Sequence, residues 1–260
     1  MYNMHDILNS FKEFPAMPNV IMHALNVMKN PESGTKQLAR IISYDQSLST
    51  KVLTLVNSAY YGFPQQITSI TRAISLIGMS KAKNIILAVA MRPMLTNQGD
   101  KELWMHSIVT AVGCEHHARH LKVMDADEAF VIGFLHDLGK VVLKTKDSRL
   151  YEKVEDTVKT NPNILEIEQA YFGINHCQIG SILATRWQLP LLVNNAVKYH
   201  HSPNSSPMPT ACSLVYFVDS LVKDNFDFDL LDKDIMKNLN LQISQPQILK
   251  DSILDKAGIL

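Results

Sequence analysis

The chain has 260 residues, of which 46% are hydrophobic and 19% are charged, a composition that excludes an intrinsically disordered protein. Its 25 basic residues balance its 25 acidic residues, so the basic excess that supports nonspecific nucleic-acid binding is missing. We therefore expect no direct nucleic-acid partner. An apolar run of about 18 residues and a signal-peptide pattern are also missing, which predicts a cytoplasmic protein without membrane contact.

Apolar residues recur at three- and four-residue spacing through almost the whole chain, and this spacing is typical of helices. The first such segment covers 17–29, and a later one is capped by Asp45 or Ser47. No alternating pattern of the strand type extends beyond a few residues. The fold class is therefore predicted to be all-α.

A polar turn at 97–100 separates two groups of predicted helices. Before it, helices are expected over about 69–77 and 80–95, with Gly78 between them. No flexible Gly/Ser-rich or Pro-rich linker occurs there, so the two groups should pack together. The expected organisation is an N-terminal helical lobe, a second helical lobe and a run of short C-terminal helices, at residues 1–98, 99–225 and 226–260.

An adjacent His-Asp pair lies at the centre of the second lobe. Residues 125–142 are predicted to form one apolar helix, with His136 and Asp137 side by side and Lys140 one turn later. Burying either side chain of the pair alone is costly. A metal ion would explain the pair, because it binds both imidazole nitrogen and carboxylate oxygen. The alternative is a solvated turn or a hydrogen-bonded core pair, which is the commoner case for an isolated two-residue motif.

Further polar residues lie next to apolar positions of other predicted helices. His106 follows Glu102 by one turn on a helix that runs to about residue 121. His176 begins a helix whose buried side should include Ile182, and Asp219 lies within an apolar run of the helix predicted over 210–223. The full candidate set is Glu102, His106, His136, Asp137, Lys140, His176, His200, His201 and Asp219.

These candidates are rich enough for a centre with two metal ions. One buried histidine is most often a satisfied core residue, but five histidines and two aspartates can hold two ions bridged by a carboxylate. The three cysteines form no CxxC pair, so they indicate neither a disulfide framework nor a zinc ribbon. Imidazole and carboxylate ligands suit iron, zinc or manganese. The predicted cofactors are therefore divalent metal ions, two in number, and the sequence does not choose among these elements.

The order His, His-Asp, His, His-His and Asp on successive helices resembles the HD superfamily of metal-dependent phosphohydrolases. It is most similar to the HD-GYP cyclic-dinucleotide phosphodiesterases. The resemblance implies that the lysine matching Lys140 faces the phosphate and that the glutamate matching Glu102 can hold a further metal. It also implies metal ligation by the seven other candidates, which are His106, His136, Asp137, His176, His200, His201 and Asp219.

A second resemblance covers about residues 10–220 and is to the HDOD family. It rests on FPAMP at 14–18, VNSAYYG at 56–62, AISLIG at 73–78, GFLHDLG at 133–139 and WQLP at 187–190. HDOD proteins are mostly regarded as non-catalytic modules of bacterial signalling, and many have lost the metal ligands. The resemblance therefore implies signalling proteins as partners.

The segment after His200 and His201 departs from the HD-GYP pattern. It reads SPNSSP at 202–207, where those enzymes have an acidic residue and the Gly-Tyr-Pro loop that helps to bind substrate. This difference leaves three functions open.

The first function is a metal-binding HDOD signalling protein whose centre is structural, ligand-sensing or vestigial. The second is a phosphohydrolase or phosphodiesterase acting on a nucleotide, a cyclic dinucleotide or another phosphate ester. In that enzyme the metal ions would lower the pKa of a bound water, and Asp137 and Lys140 would be the catalytic residues. The third is an oxygen-using di-iron enzyme of the HD class.

Overall fold

The structure is a computed structural model that describes residues 34–58, 62–96, 101–222 and 231–241. Within these ranges every regular element is a helix, which confirms the all-α fold class. The helix predicted over 17–29, the turn at 97–100 and most of the C-terminal segment lie outside the described residues, and the division into lobes stays a prediction. In chain order the α-helices are α1 (Thr35–Ser43), α2 (Gln46–Val56), α3 (Ile70–Ile77), α4 (Met79–Leu95), α5 (Lys101–Leu121), α6 (Ala126–Leu135), α7 (Leu138–Lys146), α8 (Ser148–Val158), α9 (Ile164–Phe172), α10 (His176–Arg186), α11 (Leu191–Tyr199), α12 (Pro209–Leu221) and α13 (Lys233–Asn238).

Short capping signals determine several helix ends. The Oδ1 atom of Asp45 accepts a hydrogen bond of 2.9 Å from the amide three residues later, which confirms this residue as the cap of α2. Gly78 separates α3 from α4 with a φ of +87°, a positive value that favours glycine. Asn175 and Gln178 form a reciprocal capping box, so His176 begins α10 as predicted.

Two groups of buried apolar side chains fill the interior. The first lies among α1 to α4, from Leu38 to Ile86, and the second among α4 to α13, from Leu87 to Leu239. Helix α4 contributes to both groups, because its successive residues Ile86 and Leu87 belong to different ones. The second group is built around the pairing of α5 with α6 and the packing of α10 against α7 and α11.

The helix predicted over 125–142 is in fact two helices, because α6 ends before His136 and α7 begins after Asp137. Asp137 has φ −93° and ψ 17°, away from α-helical values. Adjacent side chains in a continuous helix do not face each other, whereas here Nε2 of His136 lies 3.1 Å from Oδ2 of Asp137. The prediction for Ile182 was also wrong, since its side chain is exposed.

Helices α7 and α10 touch through their main chains. A β-carbon at Gly139 would overlap the carbonyl oxygen of His176 and would lie 2.9 Å from the amide nitrogen of Gly180. A β-carbon at Gly180 would likewise lie 2.9 Å from the amide nitrogen of Gly139. Both positions therefore require glycine. Asp137 lies two residues before Gly139, and His176 itself takes part in the contact. The contact therefore fixes the distance between Asp137 and His176.

No single helix in the described part of the chain is both long and apolar enough to cross a membrane. Helices α3 and α4 would reach that length only as a pair, and the pair is bent by 119°.

We expect Gly139→Ala to lower the free energy of unfolding by about 3 kcal/mol, because the added methyl group overlaps a main-chain carbonyl that moves only if α10 shifts. Urea unfolding followed by circular dichroism measures this change. Gly34→Ala is the matched control, because a β-carbon there has nothing within 4 Å. It should stay within about 1 kcal/mol of wild type. Equal losses in the two variants would contradict the close contact of α7 with α10.

Candidate metal centre

The carboxylate of Asp137 lies between two groups of histidines and is almost fully buried. Its Oδ2 atom is 3.3 Å from Nε2 of His106 and 3.1 Å from Nε2 of His136. Its Oδ1 atom is 3.5 Å from Nε2 of His176 and 3.6 Å from Nε2 of His200. One carboxylate thus presents one oxygen to each group, which is the arrangement of a carboxylate shared by two metal ions.

The first half-site consists of Oδ2 of Asp137 with His106, His136 and Asp219. Nε2 of His106 lies 3.2 Å from Nε2 of His136 and 3.1 Å from Oδ1 of Asp219. Helix α5, the break between α6 and α7, and helix α12 supply these side chains. Two ligands of one ion lie roughly 3.0–3.4 Å apart when metal–nitrogen bonds are near 2.1 Å. Four separations, of 3.1 to 3.3 Å, match that spacing, and Nε2 of His136 lies farther from Oδ1 of Asp219, at 3.9 Å.

The second half-site consists of Oδ1 of Asp137 with His176, His200 and His201. The Nε2 atoms of His176 and His200 are 3.2 Å apart. The His201 ring centroid lies 4.4 Å from that of His200 and 5.0 Å from that of His176. Cys177 completes a group with these three histidines in which potential ligand atoms all lie within 4.8 Å of one another.

Three of the histidines have the same ring nitrogen bound to an acceptor. Nδ1 of His136 and Nδ1 of His200 lie 2.7 and 3.0 Å from the carbonyl oxygens three residues earlier. Nδ1 of His176 lies 2.6 Å from Oε2 of Glu168. Carbonyl and carboxylate oxygens only accept hydrogen bonds, so Nδ1 of each ring carries the N–H. In the neutral ring, Nε2 then directs a lone pair into the cluster. Metal-binding histidines have the same arrangement.

Two further observations indicate that the cluster suits a cation. Oδ1 of Asp137 is buried and has no hydrogen-bond partner. A buried charged atom without a partner lowers the stability of the folded state. The buried carboxylates of Asp137, Asp219 and Glu168 are opposed by the ammonium of Lys140, which leaves a net charge of two negative when the imidazoles are neutral. Divalent ions would offset that charge.

The pKa shifts follow from the same charges. Burial raises the pKa of a carboxyl, but His136 and Lys140 outweigh it and hold the pKa of Asp137 well below its ordinary value. Lys140 donates a hydrogen bond of 2.6 Å to Oδ2 of Asp137. Burial lowers the pKa of His200, but Cys177 and Asp137 outweigh it and raise the pKa to about 9, so a metal ion that binds Nε2 of His200 must displace a proton from it. The centre therefore attracts positive charge.

Glu168 is a site residue that was not recognised in the sequence. It is fully buried, and its Oε2 atom accepts hydrogen bonds from Nδ1 and the main-chain N–H of His176 at 2.6 and 2.8 Å. Its Oε1 atom accepts a bond of 2.8 Å from the hydroxyl of Tyr151. Burial opposes its ionisation, but His176 holds the pKa of Glu168 below its ordinary value. Glu168 therefore orients His176. The sequence feature that could have indicated this role is an acidic residue on the apolar face of α9, directly after Ile167.

The other predicted site residues lie toward the solvent. The side chains of His106 and Lys140 are 26% and 19% exposed, and His201 is half-buried. Burial, together with His200 and His176, lowers the pKa of His201 and keeps the ring neutral. Glu102 is exposed one turn before His106 on α5, and its role as a further metal ligand stays a prediction, as do the ligand roles of the other residues.

A buried His-Asp pair at a helix break, surrounded by histidines and an aspartate from other helices, defines an all-helical protein of the HD class. The HDOD domain model matches residues 14–203, which is most of the chain. The chain belongs to the HDOD family.

Two solved structures share the fold of this chain, and one further protein is similar to it in sequence. A candidate signal transduction protein from Marinobacter aquaeolei has a TM-score of 0.81 at 22% identity, covering 97% of this chain and 61% of that one. A candidate phosphohydrolase from Shewanella amazonensis has a TM-score of 0.76 at 22% identity, covering 97% and 94%. An uncharacterised protein of Treponema pallidum is 28% identical over 211 residues, 77% of this chain and 40% of that protein. The chain thus spans less than half the length of this last relative.

We expect Glu168→Ala to lower the free energy of unfolding of chelator-treated protein by about 3–5 kcal/mol, because it leaves buried donors of His176 and Tyr151 without an acceptor. Tyr151→Phe removes one of these bonds and should cost about 1 kcal/mol. Glu166→Ala, at an exposed position of the same helix, is the control and should stay within about 1 kcal/mol of wild type. If urea unfolding gave the same loss for Glu166→Ala and Glu168→Ala, the orienting role would be wrong.

Proposed function

We propose that the chain is a cytoplasmic bacterial signalling protein whose HDOD domain binds two divalent metal ions. The observation that supports this most directly is the carboxylate of Asp137, whose two oxygens face different groups of histidines. A hydrogen-bonded core pair, the alternative for a His-Asp motif, would use both oxygens in hydrogen bonds. Oδ1 of Asp137 has none, which favours a metal centre over such a pair.

The proposed ligands divide into the two half-sites. One ion would be held by His106, His136, Asp219 and Oδ2 of Asp137, and the other by His176, His200, His201 and Oδ1 of Asp137. Iron, zinc and manganese all suit imidazole and carboxylate ligands. A bound divalent ion would supply Lewis acidity toward a phosphoryl oxygen and would lower the pKa of water.

The segment after His201 favours signalling over catalysis. It contains a short 3-10 helix, Pro203–Ser205, that packs against α12 and α13. The hydroxyl of Ser206 then accepts a hydrogen bond of 3.1 Å from the thiol of Cys212. The segment is thus packed against the domain, and it lacks the Gly-Tyr-Pro sequence that binds substrate in the enzymes that the site resembles. We therefore propose that the centre stabilises the domain or senses a ligand, and that the partners are signalling proteins.

Hydrolysis of a phosphate ester is the second candidate, and the position of Lys140 favours it. Its ammonium group is bound to Asp137 while its side chain is 19% exposed, so the positive charge lies where the centre meets solvent. The neighbouring carboxylates raise the pKa of Lys140 above its ordinary value although burial opposes this. Such a charge would attract a phosphate ester and stabilise negative charge on its phosphoryl oxygens.

The metal content of protein purified without a histidine tag tests the first proposal. We expect about two equivalents of iron, zinc or manganese by inductively coupled plasma mass spectrometry. His136→Ala/Asp137→Ala should lose both, because Asp137 supplies one oxygen to each half-site. His120→Ala, at an exposed position of α5, should keep both. Protein that stays free of metal after aerobic purification, anaerobic purification and reconstitution would refute the proposal.

Turnover of a broad phosphoester panel, including cyclic dinucleotides, by the metal-loaded protein tests the second candidate. If the centre is catalytic, Lys140→Met should lower kcat by roughly 100-fold while the metal content is unchanged. Lys153→Met, at an exposed position of α8, should have no effect. A fully loaded wild type that hydrolyses no member of the panel would exclude catalysis on these substrates and favour the signalling function.

A further inference from the structure

The thiol of Cys177 lies inside the second half-site. Cys177 follows His176 at the start of α10 and is 5% exposed. Its Sγ atom is 3.5 Å from Nε2 of His176 and 3.9 Å from Nδ1 of His200. The other two cysteines have different surroundings: Sγ of Cys212 contacts the carbonyl oxygen of Asn195, and Cys114 is buried in α5.

The distance between Cys177 and His176 matches that between two ligands of one ion. A sulfur and a nitrogen bound to the same tetrahedral zinc lie roughly 3.6 Å apart, given bonds near 2.3 and 2.1 Å. The observed distance between Sγ and Nε2 of His176 is 3.5 Å. Oδ1 of Asp137, also 3.5 Å from that nitrogen, is buried and without a hydrogen-bond partner. The unpartnered oxygen indicates independently that this half-site suits a cation.

We propose that Cys177 is a ligand of the second half-site and that the two half-sites therefore prefer different metals. The first offers only nitrogen and oxygen, which suit iron and manganese as well as zinc. The second adds a thiolate to imidazoles, and this combination favours a softer ion such as zinc. The inference rests on the proposed metal centre. The other reading of the same contacts is a thiol that donates a hydrogen bond to Nε2 of His176 and never binds metal.

Cobalt(II) distinguishes the two readings, because it accepts the same ligands as zinc and gives an intense near-ultraviolet charge-transfer band only when a thiolate is bound. Metal-free protein is titrated with cobalt(II) under anaerobic conditions. We expect a charge-transfer band in wild type and in Cys212→Ala, and its loss in Cys177→Ala and Cys177→Ser. Zinc affinity at one site should fall by more than roughly 100-fold in both Cys177 variants, a larger effect than the roughly 10–100-fold caused by loss of one outer partner of a ligand.

The spectrum of the wild type is decisive even if a variant folds poorly. Cobalt bound in two equivalents without a charge-transfer band would overturn the role of Cys177 and leave the proposed metal centre intact. A band that persists in Cys177→Ala would also overturn it. No cobalt binding by the wild type would refute the proposed centre itself.

Discussion

Helices α4 to α13 must balance the charge of one buried carboxylate, and the rest of the site depends on this requirement. Asp137 is almost fully buried, and an uncompensated carboxylate in that position costs several kcal/mol. The compensating groups come from separate elements, because Lys140 lies on α7 and the surrounding histidines lie on α5, on α10 and directly after the ends of α6 and α11. The pairing of α5 with α6 and of α10 with its neighbours therefore does two things together. It buries apolar surface and it assembles the site.

Helix ends decide how two of the imidazole rings are oriented. His136 follows the last residue of α6 and His200 follows the last residue of α11. The last carbonyl groups of a helix have no partner within the helix, and each of these rings donates its Nδ1 proton to one of them. The position of the helix terminus thus fixes both the orientation of the ring and which of its nitrogens faces the cluster. His176 begins a helix instead, where no such carbonyl is available, and Glu168 takes over that task.

Much of the candidate site was visible in the sequence, because charged or imidazole side chains stand out within apolar helical stretches. His136, Asp137 and Asp219 were found in this way, and the structure brings them together. The break between α6 and α7 was missed because apolar residues continue across it with no glycine or proline at the junction. Glu168 and Cys177 were missed for another reason. Their importance depends on which side chains from distant parts of the chain lie beside them, and spacing along one helix carries no such information.

For the proposed metal centre, the main-chain contact of Gly139 with α10 predicts that folding comes before the binding of ions. Because packed backbones hold Asp137 and His176 at their distance, the spacing of the ligands does not depend on an ion. Small zinc domains are the opposite case, since ligation supplies the free energy that folds them. Here we expect the side chains of the proposed site to be in position before any ion binds. In the proposed centre, ions could then be exchanged, and single ligands lost by mutation, while the outer surface of the domain keeps its shape.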